Sequence, residues 1–335
     1  MNFTAIGDLA QSIAMRRQSS SLQSRLSQLT QELTTGQAVD VSRHLQGGFH
    51  HLADIENQLT LNVSYKSAAS EAGLFTNAMQ VALEQVQTQL SDLSGDVMLA
   101  AHSSGSAELQ ATAGKARAAL NSIVAAMNTE VAGRPLFSGT DLRNAPLRDA
   151  DVLLDAARTA IAAAPDTAAA DAVLETFFMT SGAGFDALIY KGGTQDMSPY
   201  RLAADEDVTL AIRADDPVIR AALKDTVMAA LADDATLAMD ASNRRGLIER
   251  ASSGLLQQID GVTGLRAKLG FAEERIEQIA SRTAAETTSL QMARTSLLEV
   301  DPYETAGALE ETQLRLETLY TITARTSRLN LVNFL

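Results

Sequence analysis

A row of mostly apolar residues at strict seven-residue spacing most constrains the fold of this chain. Its members are Ile248, Leu255, Val262, Leu269, Ile276, Thr283, Leu290 and Leu297, and an offset row contains Leu265, Ala272, Ile279, Ala293 and Val300. This spacing places the side chains on one face of a helix that packs along another helix. Four glycines weaken its early turns, namely Gly254, Gly261, Gly264 and Gly270. The repeat therefore predicts a long helix with a partner of comparable length.

Proline placement leaves room for that partner. All six prolines lie outside residues 1–134 and 218–301, so long helices can run through both stretches. In the first stretch, helical spacing predicts a seam that ends at Gly36; its members are Leu22, Leu26, Leu29 and Leu33. Residues 37–48 read as an irregular connection. Two further seams, over residues 52–97 and 109–131, predict a helical hairpin separated by a turn at 103–106.

Residues 301–335 predict a terminal helix with an unusual end. Asp301 is a good N-cap, Pro302 suits the first helical position, and Glu304 stands where a capping box requires a carboxylate. One apolar face follows, formed by Leu309, Leu316, Leu319 and Tyr320. Nearer the terminus, apolar residues surround the helix: Ile322, Leu329, Leu331, Val332, Phe334 and Leu335. A single partner helix cannot cover such an end, which indicates burial against other subunits.

Residues 141–245 differ in character from both flanks. An alanine-rich helical patch over residues 156–170, a glycine pair at Gly192 and Gly193, a strand-like alternation over 207–213 and a helix after Pro217 predict a small mixed insert. The predicted fold is therefore mainly α: a long antiparallel helical rod, coiled-coil-like, with a small α+β insert domain. The predicted divisions are a terminal assembly domain (1–38 and 302–335), a rod domain (39–140 and 246–301) and the insert (141–245).

Charge and composition narrow the classes of partner. The chain has 335 residues and a net charge of −14, which disfavours nucleic acid because a phosphate backbone requires a basic face. Residues 141–245 hold 18 acidic and 10 basic residues, whereas residues 1–40 hold three of each. Aromatic residues are only 4% of the chain and cysteine is absent, so disulfides and thiolate metal sites are not available. The N-terminus lacks the apolar core of a secretory signal peptide, and no apolar stretch is long enough to span a membrane.

The sequence patterns that could indicate a metal, phosphate or dinucleotide site are all incomplete. His44 and His51 are separated by glycines and have no supporting acidic or cysteine ligand. Gly114-Lys115 lacks the first glycine of a phosphate loop, and Gly182-Ala183-Gly184 lacks the third glycine of a dinucleotide fingerprint. The acidic run over residues 205–207 is typical of a solvated turn. We therefore expect no catalytic, metal or cofactor-binding residues, and a protein that is not an enzyme.

Several segments together resemble a known family. These are LSQLTQELTTG (residues 26–36), GRPLFSGT (133–140), LGFAEERIE (269–277) and the helix from Asp301. The chain resembles the flagellin family and, within it, the hook-filament junction proteins of the hook-associated protein 3 group. The sequence FSG at 137–139 and the ending VNFL favour the junction proteins over flagellin. After Gly36 the chain departs from the family's usual serine, aspartate and alanine run.

The resemblance implies a structural subunit of the bacterial flagellum, outside the cell, that joins hook to filament as a ring. It implies export without a cleavable signal peptide, a dedicated export chaperone, and terminal helices that fold on assembly. The implied partners are other copies of the chain, a hook-associated protein on the hook side, and flagellin or a second junction protein on the filament side. The candidate assembly residues are Leu22, Leu26, Leu29, Leu33, Leu309, Leu316, Leu319, Tyr320, Leu329, Leu331, Phe334 and Leu335. Two alternatives are flagellin itself and, from another class, a cytoplasmic coiled-coil adaptor.

Overall fold

A computed structural model describes residues 3–102 and 105–332 of the chain, and the side chains of residues 10–102 and 105–325. The described residues are mainly helical, with two small antiparallel hairpins. This confirms the predicted fold class, a mainly α chain with a small α+β insert. The helices are α1 (Phe3–Thr35), α2 (Val41–Leu45), α3 (Phe49–His102), α4 (Ser106–Met127), α5 (Ala150–Ile161), α6 (Thr167–Met179), α7 (Pro217–Leu231), α8 (Ala241–Leu298) and α9 (Pro302–Val332).

The chain divides into two compact units. One contains Met1–Asn62 and Ala285–Leu335; the other contains Val63–Ala284. Both α3, with 54 residues, and α8, with 58 residues, contribute to both units. The three-part division into assembly, rod and insert domains stays a prediction.

In the Val63–Ala284 unit, α3 and α8 run antiparallel. Gln80 Nε2 donates to the carbonyl of Arg266 at 3.0 Å, and Gln87 Nε2 donates to Thr263 Oγ1 at 2.9 Å. The heptad row of α8 is buried as its spacing predicts, since Ile248, Leu255 and Val262 are 0% exposed. Thr283 is also buried, whereas Leu290 and Leu297, in the other unit, are half-buried. The facing residues on α3 include Phe75, Met79, Leu83, Val86 and Leu90.

The predicted hairpin between α3 and α4 forms, with one correction. Lys115 Nζ on α4 pairs with Asp96 Oδ1 on α3 at 2.5 Å, and the α4 seam from Ala113 to Met127 is buried. The seam was predicted to reach Val131, but that residue lies in strand β1 (Glu130–Val131), which pairs with β2 (Arg134–Pro135). The turn at Ala132 and Gly133 requires positive φ at both residues, which a helix does not permit. The predicted turn at 103–106 lies partly outside the described residues.

The segment GRPLFSGT anchors the hairpin to the insert. Leu136 and Phe137 are fully buried, and the Phe137 carbonyl accepts from the amide of Ala214 at 3.0 Å. The Ser138 carbonyl accepts from the amide of Gly193 at 2.7 Å. Gly139 has φ +61°, and a Cβ there would lie 2.2 Å from the carbonyl oxygen of Gln195. Only glycine fits this position without a shift of the backbone.

The insert contains helices where we expected them, but their limits differ. The alanine-rich patch over 156–170 is two helices, α5 and α6, because Asp166 caps a new helix directly after Pro165 by accepting from the amide of Ala169 at 2.8 Å. The strand predicted over 207–213 is shorter: β3 (Tyr200–Ala203) pairs with β4 (Glu206–Val208), and residues 209–213 belong to no strand. A π-helical turn, Phe185–Ile189, has no sequence signal that we recognised.

Candidate assembly interface

The terminal helix α9 begins at the cap that the sequence predicts. Asp301 Oδ1 accepts from the amides of Tyr303 at 2.7 Å and Glu304 at 3.3 Å, and Pro302 occupies the first helical position. The Asp301 carbonyl also accepts from Thr305 Oγ1 at 2.8 Å. The two bonds to the Asp301 carboxylate satisfy amide groups that have no partner inside the helix, so the start of α9 is fixed by local chemistry.

Helix α9 packs antiparallel against α1. Gln23 Nε2 donates to Tyr320 Oη at 2.8 Å, and Thr323 Oγ1 lies 3.7 Å from Met15 Sδ, so position numbers rise on one helix as they fall on the other. Leu29 on α1 is 2% exposed and Leu319 on α9 is 9% exposed. Each such leucine contributes about 1.5–3 kcal/mol when buried.

The segments that follow α1 and precede α9 are tied together by backbone hydrogen bonds. The amide of Ala38 donates to the carbonyl of Leu298 at 2.9 Å, and the amide of Val300 donates to the carbonyl of Gly36 at 3.1 Å. Gln37 and Glu299 lie between these bonds as an antiparallel bridge pair. This bridge fixes the register of α1 against α9.

The connection after α1 is more ordered than the irregular segment we expected over residues 37–48. It contains α2, capped by Asp40, whose carboxylate accepts from the amide of Arg43 at 3.1 Å and from Ser42 Oγ at 2.9 Å. The bond from the Arg43 amide is the main cause that lowers the pKa of Asp40. Glu32, buried at the end of α1, accepts from the amide of Val39 at 3.1 Å through Oε1.

The candidate assembly residues that the structure describes differ in the exposure of their side chains. Leu29 and Leu319 are buried, whereas Leu33, at 39%, and Tyr320, at 48%, are exposed. The half-buried members are Leu22, Leu26, Leu309 and Leu316. The side chains of Leu329 and Leu331 lie outside the described part, as do residues Phe334 and Leu335 entirely. The role of the whole set in assembly stays a prediction.

Leucine spacing does not reveal the polar residues that are buried in this helix pair. Thr305 and Thr312 are buried in line with Leu319, at steps of seven residues. Thr312 Oγ1 donates to the carbonyl of Ala308 at 2.7 Å, which satisfies the hydroxyl within its own helix. The sequence does contain a signal for Thr305 and Thr312, namely their seven-residue spacing with Leu319. A search limited to apolar residues does not find it. Glu32 carried no such signal, because its burial depends on Val39 across a turn.

Among the described residues, no group of three or more histidine, aspartate or glutamate side chains is placed to hold a metal ion. His44 and His51 are exposed and lie on different helices, α2 and α3. Over the same described part, no helix is both long and apolar enough to cross a membrane.

Comparisons with known proteins agree with this architecture. Residues 253–335 match the model of the bacterial flagellin C-terminal helical region. A solved structure assigned as a flagellar hook-associated protein, from Vibrio parahaemolyticus, superposes with a TM-score of 0.53 at 14% identity over 73% of this chain and 95% of that chain. FlgL of Bacillus cereus superposes with a TM-score of 0.52 at 15% identity over 71% of this chain and 96% of that one.

This chain has the fold of a flagellar hook-associated protein. Its C-terminal part, from residue 253, is similar in sequence to the flagellin C-terminal helical region. No curated protein matches the chain in sequence. The match covers α9 and most of α8, so it includes one of the two helices of the candidate assembly interface.

Proposed function

We propose that this hook-associated-type chain is a structural subunit of the bacterial flagellum that joins hook to filament as a ring. The observation that carries the proposal concerns α9, which lies within the region matched by the flagellin model. Its side chains through residue 325 are buried on one face, the face with Thr305, Thr312 and Leu319, and α9 packs on α1. The opposite face retains large apolar side chains in water: Tyr303 is 89% exposed and Leu314 is 65% exposed.

Exposed apolar side chains on a paired helix indicate further partners. Tyr303 and Leu314 are three turns apart, so they share one face of α9, and that face lies opposite Thr305 and Thr312. A helix that is needed only for intramolecular packing commonly carries polar residues there. We infer that this face is buried against neighbouring subunits in the assembled flagellum.

The remaining parts of the proposal follow from the same family likeness. The role is structural and not enzymatic, and the location is the external flagellum, reached without a cleavable signal peptide. The proposed partners are other copies of the chain, a hook-associated protein on the hook side, flagellin or a second junction protein on the filament side, and an export chaperone. The terminal assembly domain of the three-part division would supply the contacts.

A second candidate is flagellin, because the matched family model is that of the flagellin C-terminal region. The two candidates differ in where the protein lies. We expect gold-labelled antibody to mark a single band at the hook boundary of isolated flagella. Label along the whole filament would contradict the junction role and support flagellin, and label only inside the cell would favour a coiled-coil adaptor.

The outer face of α9 can be tested in the same cells. We expect the variant with Y303S and L314S to fold with unchanged helix content but to lose hook-filament attachment, since burial of two large apolar side chains is removed. L142S is the matched control, because Leu142 is 44% exposed in the insert. Normal filaments on cells that carry the double variant would refute the role of this face.

A further inference from the structure

A basic groove lies on the side of α1 that faces away from α9. It has a volume of about 460 Å³ and is lined by Arg17, Ser24 and Arg25 of α1 and Arg43 of α2, among others. Ser24 follows Leu22 by two residues, which is about 200° around the helix, so Ser24 lies opposite the leucine seam. Arg25 lies four residues before Leu29 and therefore forms the edge of the groove nearer to that seam. Leu33 and the other candidate assembly residues do not line it.

The groove carries positive charge that the chain does not neutralise. Residues 9–31 contain three arginines and no acidic residue, in a chain whose net charge is −14. Arg43 pairs with Asp40 at 3.1 Å, but among the described residues no ion pair is formed by Arg17 or Arg25. Two unpaired guanidinium groups beside serine hydroxyls form a surface that fits a carboxylate-bearing partner.

The outer face of α9 supplies such carboxylates. Glu310 and Glu317 are exposed, and each precedes an inward residue, Thr312 or Leu319, by two positions, which directs both outward. Neither forms an ion pair within the described part of the chain, whereas the neighbouring Glu311 pairs with Arg315 at 2.5 Å. The face with Tyr303 and Leu314 is therefore also an acidic face.

The spacing of the two charge pairs matches. Arg17 and Arg25 are eight residues apart, or about 12 Å along α1, and Glu310 and Glu317 are seven apart, or about 10.5 Å along α9. In one chain the two faces point in opposite directions from the α1–α9 pair. A carboxylate of α9 therefore cannot reach the groove of its own chain.

We propose that the basic groove on α1 receives the acidic outer face of α9 from a second copy of this chain. The contact is head-to-tail, because each copy offers one groove and one acidic face, and such contacts close into rings or continue as helices. The inference rests on the proposed function, since it names a contact by which the proposed ring forms. Its ionic pairs lie at an exposed rim, so the contact weakens as salt rises.

The absence of cysteine from the sequence makes a cross-linking test direct. S24C places a thiol in the groove, and Q313C places one between the two glutamates of α9. A disulfide requires Cα atoms within about 7 Å, which opposite faces of one helix pair do not allow, so a cross-link must join two copies. We expect a disulfide-linked dimer when full-length chains with S24C and Q313C are co-expressed in flagellated cells.

Charge reversal supplies the controls. R17E with R25E, or E310R with E317R, is expected to lower the dimer yield about tenfold, and all four reversals together are expected to restore it. R16E is the matched control on α1, because Arg16 does not line the groove, and E311R is the control on α9. Failure of the fourfold variant to restore the dimer would mean that another acidic partner fills the groove and would overturn the inference.

The failure of this inference is distinguishable from that of the proposed function. A chain that is incorporated into flagella but gives no S24C–Q313C dimer overturns the docking contact and leaves the junction role standing. A chain absent from flagella overturns the junction role. The docking contact is then tested separately by the yield of the S24C–Q313C dimer in the cell lysate, and the absence of that dimer overturns the contact.

Discussion

The buried carboxylate of Asp225 allows a sharp test of how the insert packs on α8. Asp225 lies on α7 and is 4% exposed. Gln258 Nε2 of α8 lies 3.3 Å from its Oδ2, and Lys224 Nζ lies 3.8 Å from its Oδ1. Lys224 is shared with Asp171 at 3.7 Å and Glu175 at 2.7 Å, both on α6. Burial dominates over these partners and raises the pKa of Asp225 to about 6.

The sign of the resulting pH dependence follows from proton linkage. A raised pKa means that the folded chain holds the proton more tightly than the unfolded chain does. The stability that Asp225 contributes is therefore fully present below about pH 4 and is lost as pH rises through about 6. A rise in pKa from 3.8 to about 6 corresponds to about 3 kcal/mol at neutral pH.

The test is the substitution D225N, which keeps the shape and removes the charge. We expect it to increase the free energy of unfolding by about 2–3 kcal/mol at about pH 7.5, and to change it little at about pH 4. Urea unfolding followed by circular dichroism across this pH range measures the difference. In this variant Lys224 still pairs with Asp171 and Glu175 of α6, so its charge is not left without a partner.

D234N is the matched control. Burial raises the pKa of Asp234, but hydrogen bonds from Thr236 and Arg158 outweigh it, so the pKa lies below its ordinary value. D234N should therefore destabilise the chain at neutral pH, and this loss should shrink as pH falls through the pKa of Asp234. A D225N effect that does not vary with pH, or that destabilises at about pH 7.5, would refute the reasoning.

Three further substitutions test the local arguments. L29A should lower the free energy of unfolding of the terminal unit by about 2–5 kcal/mol, because Leu29 is 2% exposed, and amide exchange on α1 would report it. D301A should cost about 1 kcal/mol and increase exchange at the amides of residues 303 and 304, whereas unchanged exchange would argue against the cap. G139A should cost more than about 1 kcal/mol in urea unfolding, since φ is +61° and the Gln195 carbonyl occupies the space; G264A, where a Cβ meets open space, is its control.

The glycines of α8 illustrate where sequence reasoning stops. The sequence predicts that Gly254 and Gly261 weaken a long helix, and glycine does destabilise the helix turns around it. In the structure a Cβ at Gly254 would lie 2.2 Å from Asp225 Oδ2, and one at Gly261 would lie 2.7 Å from Val218 Cγ1. These glycines are where α7 approaches α8 closely. That reason lies in residues of α7 that are 29 and 43 positions away in the sequence, which no local pattern contains.

The same limit applies to the terminal helices. Leucine spacing identified the seam of α1 that contains Leu29 and the face of α9 that contains Leu319, because periodicity is a property of each segment itself. It did not identify Glu32, Thr305 or Thr312 as buried, because their burial depends on a turn and on a neighbouring helix. The basic groove was likewise not predicted, since it combines arginines of α1 with Arg43 of α2.

The sequence by itself determined the long helices and most of their limits. Seven-residue spacing, a proline-free stretch and the Asp301 cap act within one segment. They predict the helical run of α8 from Ile248 to Leu297 and the start of α9 without reference to neighbours. The tertiary structure decided which polar groups are buried, which glycines permit close packing and which charged faces remain outward. These outcomes depend on distances between segments far apart in the chain, and such distances exist only after the helices have packed.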